Sequence, residues 1–70
     1  MAGLDLNDTV GEYVISTVRL SNGYGWETTV FRGYEDIYHE GYESVKAAKR
    51  GHAEFVAAAE TGFQTIPKEG

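Results

Sequence analysis

The side chains of this sequence that could do chemistry are concentrated in residues 33–43, which read GYEDIYHEGYE. This segment holds four acids and no Lys or Arg, so it contributes −4 to a chain whose net charge is −5. Such a segment could hold a hard cation, carry out acid–base catalysis, or bind a basic surface. The candidate partner-binding residues are the acids Glu35, Asp36, Glu40 and Glu43 and the tyrosines Tyr34, Tyr38 and Tyr42.

The spacing of these residues favours neither metal binding nor catalysis. Glu35, Asp36, His39 and Glu40 lack the regular alternation of ligands in a calcium loop. Paired acids do acid–base work only inside a cleft, and a one-helix domain of this size has little room for one. The sequence has no nucleophile with a base and an orienting acid at recognisable spacing, and no glycine-rich phosphate loop before a helix. We therefore predict a protein that is not an enzyme, with no catalytic residues, metal or cofactor.

The composition indicates one small acidic domain spanning residues 1–70. A chain this short buries only roughly 60% of the surface that its unfolded form exposes. It contains no Cys, so a target or a second copy, as in a homodimer, could supply further burial. Eleven acids against six bases argue against direct nucleic-acid binding, which needs concentrated Lys and Arg. An acidic surface suits a basic partner, or serves only solubility.

The start of the sequence carries no basic region followed by an apolar run. No signal peptide or membrane span is therefore predicted, and we expect a cytoplasmic protein with no membrane partner.

The order of elements predicts an α+β fold, a small antiparallel β-sheet packed on one C-terminal α-helix. Residues 1–11 read as a mobile arm, with a short strand as the alternative, and residues 68–70 are expected to fray. A hairpin occupies residues 12–32, turning at Asn22-Gly23, where both residues tolerate the positive φ of a tight turn. A third strand is expected over 34–38, with a turn at Gly41, because an isolated hairpin is marginal in water. An ordered loop is the alternative for that segment.

A two-residue turn fixes the register of the hairpin. It sets four pairs opposite one another: Arg19 and Trp26, Thr17 and Thr28, Ile15 and Val30, Tyr13 and Arg32. We expect the other face to be the core face, because its apolar content is higher, with Val14, Val18, Leu20 and Phe31. The first face would then place two arginines beside aromatic rings, where cation–π contacts form. A bulge at Gly25 would reverse the second strand and this assignment.

Ser44 is a suitable N-cap for a helix over about 45–61. The apolar stripe of that helix consists of Val45, Ala48, Phe55, Val56 and Ala59, with His52 on the same side. Gly62 can close the helix in a left-handed conformation while Phe63 folds back on the last turn. Residues 63–67 are a candidate for a short closing strand.

Two features inside the helix need a structural explanation. Gly51 costs about 1 kcal/mol relative to Ala, which predicts close approach to a bulky sheet residue such as Trp26 or Phe31. His52 is then expected to be partly buried and hydrogen-bonded. The early bases Lys46, Lys49 and Arg50 oppose the helix dipole, and they either pair with Glu40 and Glu43 or are kept for a partner.

The strand motif at residues 27–31, ETTVF, and the helix motif at residues 48–52, AKRGH, resemble those of a recurrent type of small phage and prophage protein. Those proteins join an E-T-x-V-F strand to an A-x-x-G-H helix through an acidic segment. The resemblance covers about residues 24–60, and Thr29 stands where a large apolar residue is usual. It implies a phage origin and assigns no functional residue.

Phage origin adds a specific hypothesis, since small acidic phage proteins include inhibitors of host defence such as anti-CRISPR proteins. A DNA mimic of that kind would place its carboxylates where phosphates lie and occupy the basic groove of a Cas surveillance complex subunit. The tyrosines would add rigid contact area. Two alternatives remain: an accessory nucleic-acid binder using a sheet face with Arg19, Arg32, Trp26 and Tyr13, and a phage structural or assembly protein.

Overall fold

The computed structural model describes residues 5–21 and 23–64, which form a four-stranded antiparallel sheet and one α-helix. The elements are β1 (Asp5–Val10), β2 (Tyr13–Arg19), β3 (Trp26–Arg32), β4 (Glu35–Tyr42) and α1 (Val45–Glu60). The strands lie in the order β1-β2-β3-β4, so each pairs with its neighbour in sequence. The predicted α+β class, a sheet packed on a C-terminal helix, is confirmed, and the sheet has one strand more than predicted.

The additional strand is β1. The expectation of a mobile arm is wrong for Asp5–Val10, and the alternative of a short strand holds there. β1 pairs with β2 along its whole length, from Asp5 opposite Val18 to Val10 opposite Tyr13. Gly11, with φ 59°, makes the tight turn between them. The expectations for residues 1–4, for residues 65–67 of the closing strand and for residues 68–70 lie outside the described residues.

The hairpin register is as predicted, with Arg19 opposite Trp26 and Ile15 opposite Val30. Leu20 donates its N–H to the carbonyl of Gly25 at 2.9 Å and accepts from the N–H of Gly23 at 3.0 Å. Gly23 has the expected positive φ, 81°, whereas Asn22 lies outside the described residues.

The predicted core face is wrong. The helix covers the opposite face, where Ile15, Thr17, Thr28 and Val30 are all 0% exposed, whereas Val14 and Val18 are 36% and 39% exposed. Apolar content is a poor guide to the covered face, because the side of the helix that packs on the sheet includes a polar residue, His52, which is 4% exposed. A buried imidazole needs hydrogen-bond partners, and Thr17 at the centre of that face supplies one of them.

Strand β4 is longer than the predicted 34–38, and Gly41 lies within it instead of in a turn. A bulge shifts the register, so Val30 pairs with Tyr38 while Phe31 pairs with Asp36. Ile37 is the extra residue, and both Ile37 and Tyr38 pack against the buried cluster of Ile15, Val30, Phe55 and Ala59.

Both ends of the helix carry the predicted caps. Ser44 has an extended backbone, φ −137° and ψ 155°, and its Oγ accepts from the N–H of Ala47 at 3.1 Å. At the other end Gly62 has φ 67°, and the N–H of Phe63 donates to the carbonyl of Ala58 at 2.7 Å. The ring of Phe63 packs on the sheet instead of on the last turn of the helix, with centroid distances of 4.9 Å to Tyr13 and to Tyr38.

Candidate interaction surface

The acidic segment forms β4, which is an edge strand of the sheet. Glu35, Asp36 and Glu43 are exposed, and Glu40 is half-buried. Because an extended chain rises about 3.3 Å per residue, these carboxylates are distributed over roughly 25 Å along one edge. We call them the acidic edge.

The three tyrosines of the segment have different environments. Tyr34, in the turn before β4, is 106% exposed. Tyr38 is half-buried against Phe55 and Phe63. Tyr42 is half-buried beneath the helix beside Gly51. The contact area expected from three rings is therefore reduced to that of Tyr34, because the other two rings pack in the interior.

The acidic edge has one ionic contact among the described residues, between Asp36 Oδ2 and His39 Nε2 at 3.3 Å. Within residues 5–21 and 23–64, no Lys or Arg nitrogen lies within 4.0 Å of its carboxylates. The predicted pairing of Lys46, Lys49 and Arg50 with Glu40 and Glu43 is therefore not formed. The edge keeps its negative charge available to a partner.

The face of the sheet that the helix leaves uncovered is also acidic. Strand alternation and the observed register define this open sheet face, which contains Asp5, Asn7, Thr9, Val14, Ser16, Val18, Glu27, Thr29, Phe31, Asp36, His39 and Gly41. It carries three acids and no Lys or Arg, with its apolar side chains in the two middle strands. Asp36 belongs to both the open sheet face and the acidic edge.

The face proposed for nucleic-acid contact is the one that the helix covers. Tyr13 packs against the core and Phe63, and Arg19 lies with its Cζ 5.5 Å from the ring centroid of Trp26. This confirms the cation–π contact expected for Arg19. It also means that the open side of the sheet offers phosphates no Lys or Arg.

A chain of hydrogen bonds crosses the sheet beneath the helix. Asp8 Oδ2 lies 2.7 Å from His52 Nε2, and His52 Nδ1 lies 2.6 Å from Thr17 Oγ1. Thr17 Oγ1 is bonded to Thr28 Oγ1, and Thr28 is bonded to the phenol of Tyr42. These five side chains, which we call the buried relay, come from all four strands and the helix.

The chemistry of the groups sets the direction of the relay at Asp8. A carboxylate only accepts, so Nε2 of His52 carries the hydrogen and donates to Asp8. The predicted burial and hydrogen bonding of His52 is confirmed, and every polar group along the line has a partner.

Gly51 makes room for the last member of the relay. A Cβ placed on Gly51 would overlap the hydroxyl and ring of Tyr42. The helix therefore approaches Tyr42, and the prediction of Trp26 or Phe31 at this place is wrong. Burial raises the pKa of Tyr42, and the charges of Glu40 and Glu54 raise it further, against the opposite effect of the Thr28 hydrogen bond.

The buried relay contains an acid, a histidine and a hydroxyl in a row, as hydrolases do, but its two threonine hydroxyls are enclosed. Thr17 and Thr28 are 0% exposed, and Asp8 is the one member with a largely exposed side chain, at 54%. In the described part of the chain, no three His, Asp or Glu side chains converge as metal ligands. The arrangement connects the four strands and the helix.

Sequence reasoning missed Asp8 and the threonine pair. The predicted register placed Thr17 opposite Thr28, and two cross-strand hydroxyls beside a predicted buried histidine are a usable signal. Asp8 could not be found in this way, because a strand was only the alternative for its segment and had no predicted register.

Fold and surface together define a small α+β domain with an acidic sheet. No family model, curated protein or solved structure matches the chain. Among the described residues, no helix is long and apolar enough to cross a membrane.

Proposed function

We propose that this chain is a non-enzymatic inhibitor of phage or prophage origin, of the anti-CRISPR type, which acts in the bacterial cytoplasm. Its acidic edge would occupy a basic, DNA-handling surface of a host defence complex, with the exposed ring of Tyr34 as an additional anchor. The observation that carries the proposal is the acidic edge itself, a row of carboxylates on an ordered strand without a Lys or Arg ion pair among the described residues.

The acidic edge combines charge complementarity to a basic groove with a rigid backbone. Carboxylates held along an extended strand present a line of negative charge, as a phosphate backbone does, to the lysines and arginines of a groove. Since β4 is already ordered, little conformational entropy is lost on docking. Exposed charges that lack intramolecular partners also lose no ion pair when they bind.

The open sheet face supports the same class of partner. Asp5 and Glu27 flank the exposed Val18, and Asp36 lies beyond Phe31 in the row of Val14, so the face combines negative charge with apolar area. A protein surface with Lys and Arg around apolar side chains suits it, whereas nucleic acid does not.

The test is co-purification of the tagged protein with Cas surveillance complexes from cells that carry an active CRISPR system, at low and moderate salt. We expect a complex subunit to be recovered, less at moderate salt, and to be lost with Glu35→Lys/Asp36→Lys. The matched control is Glu12→Lys/Ser21→Lys/Gln64→Lys, which changes the net charge equally at exposed positions outside the acidic edge, the open sheet face and the helix.

Equal recovery with the acidic-edge variant and the control variant would contradict a role for the acidic edge. Recovery of only the protein itself, or of virion proteins, would favour the assembly alternative and leave the acidic segment as a solubility feature.

A further inference from the structure

The outward face of α1 has its charges separated by sign. Lys46, Lys49 and Arg50 lie in its first two turns, Glu54 and Glu60 follow, and all five are exposed. The first turn has no acid and the last turn no base, so the helix dipole is opposed at both ends. Among the described residues the three bases have no ion-paired acid, and Lys46 faces like charges at i+3 and i+4.

The same face carries a repeat of the coiled-coil kind. Lys46, Arg50, Ala53, Ala57 and Glu60 follow one another at alternating spacings of four and three residues, which keeps them in one line along a helix pair. Ala53 and Ala57 are exposed at its middle. Because these side chains are short, the axes of two paired helices can approach to about 8 Å, the lower limit of the usual range.

We propose that α1 pairs with α1 of a second copy in antiparallel orientation, forming a two-fold symmetric homodimer. In this arrangement Ala53 faces Ala57 of the second copy, and Arg50 faces Glu60 of the second copy. Each contact occurs twice because the interface is isologous. Parallel pairing would place like charges together, so the order of charges selects the antiparallel arrangement.

The interface is small, and the association is correspondingly weak. One helix face with alanines at its centre buries less than the about 1,000 Å² of a stable interface. In the dimer, the Glu54 side chains of the two copies lie beside each other near the two-fold axis, where their carboxylates repel. Substitution of Glu54 by Gln therefore strengthens the dimer, and added salt weakens it because the Arg50–Glu60 contacts are exposed.

The dimer leaves the open sheet face and the acidic edge accessible on both copies, since the helix lies on the other side of the sheet. Two equivalent acidic surfaces would then act as a bivalent binder. The pairing does not depend on the proposed inhibitory function, because it concerns a different face of the molecule.

The test is sedimentation equilibrium at low ionic strength up to millimolar protein. We expect concentration-dependent dimerisation of the wild type and about tenfold weaker association for Arg50→Glu and for Glu60→Arg, each of which turns two attractive contacts into repulsive ones. An equimolar mixture of these variants should associate as the wild type does, and so should the double variant Arg50→Glu/Glu60→Arg. Glu12→Arg, in the exposed turn between β1 and β2, is the charge control and should associate like the wild type.

A wild type that stays monomeric under these conditions would overturn the proposal. So would single variants that dimerise as strongly as the wild type, or a double variant that fails to recover association. Loss of defence-complex binding with an intact dimer would instead contradict the proposed function alone.

Discussion

The phenol oxygen of Tyr42 lies against the Cα of Gly51, in the space where a side chain at position 51 would begin. The ring is held there by the helix above it and by its hydrogen bond to Thr28. Packing therefore explains the glycine in the helix. Gly51 lowers the helix propensity of α1, but it leaves the space that the hydroxyl of Tyr42 occupies beneath the helix.

This relationship predicts the sign of two substitutions. Gly51→Ala should lower the free energy of unfolding by about 1–3 kcal/mol, since the added methyl overlaps the Tyr42 ring. In a Tyr42→Val background the overlap disappears, and the same change should raise the free energy of unfolding by up to about 1 kcal/mol through helix propensity. Urea unfolding of the wild type, the two single variants and the double variant gives the coupling free energy between positions 51 and 42. If Gly51→Ala stabilises the wild type, the contact is not rigid.

The buried relay predicts an asymmetry between two threonines of the sheet. Thr17→Val leaves Nδ1 of His52 without a partner and removes one of the two partners of the Thr28 hydroxyl, which should cost about 1–3 kcal/mol. Thr29→Val makes the same change on the open sheet face and should cost less than about 0.5 kcal/mol. Chemical denaturation of both variants is the measurement. Equal losses would mean that the relay contributes nothing beyond packing.

The hairpin and the helix ends are readable from the sequence because their determinants are local. The register of the hairpin follows from counting residues outward from the Asn22-Gly23 turn. Ser44 and Gly62 mark the ends of the helix by the backbone geometry that each can adopt. These features need no knowledge of what lies across the sheet.

The covered face and the β1 strand depend on contacts that are distant in sequence. Asp8 reaches His52 across 44 positions, and Tyr42 fits beneath a residue of the next element. An apolar count favours Val14 and Phe31 over Thr17 and Thr28, since it does not include the hydrogen bonds that a buried histidine requires. The segment 33–43 was recognised as acidic, but the inward orientation of Tyr38 and Tyr42 follows from the bulge and from Gly51.

The corrected face predicts a second asymmetry, between two valines given the same substitution. Val30→Thr places a hydroxyl where the residue is 0% exposed and should cost about 1–3 kcal/mol. Val18→Thr, at 39% exposure on the open sheet face, should change stability by less than about 0.5 kcal/mol. Thermal unfolding distinguishes them. A larger loss for Val18→Thr would indicate that the open sheet face is covered in solution.

Tyr42 predicts a loss of stability at alkaline pH. Its folded pKa is raised by burial and by Glu40 and Glu54 above the unfolded value of about 10. The folded state therefore holds the phenol proton more tightly, and this stabilisation is complete below about pH 10 and lost as the pH rises through the folded pKa. The stability difference between the wild type and Tyr42→Phe should shrink over that window, as followed by urea unfolding.

Tyr34→Phe is the control for this experiment, because the Tyr34 ring is fully exposed. Its stability should follow that of the wild type at every pH. A difference between wild type and Tyr42→Phe that stays constant through alkaline pH would contradict the prediction.

The measurement that tests the central proposal most directly is displacement of labelled target DNA from an isolated Cas surveillance complex by the purified protein. We expect the wild type to displace the DNA, less effectively as salt increases. Glu35→Lys/Asp36→Lys should not displace it, whereas the control Glu12→Lys/Ser21→Lys/Gln64→Lys still should. If the acidic-edge variant displaced DNA as well as the wild type, or if the wild type bound the complex without displacing DNA, the acidic edge would not be acting as a substitute for phosphates.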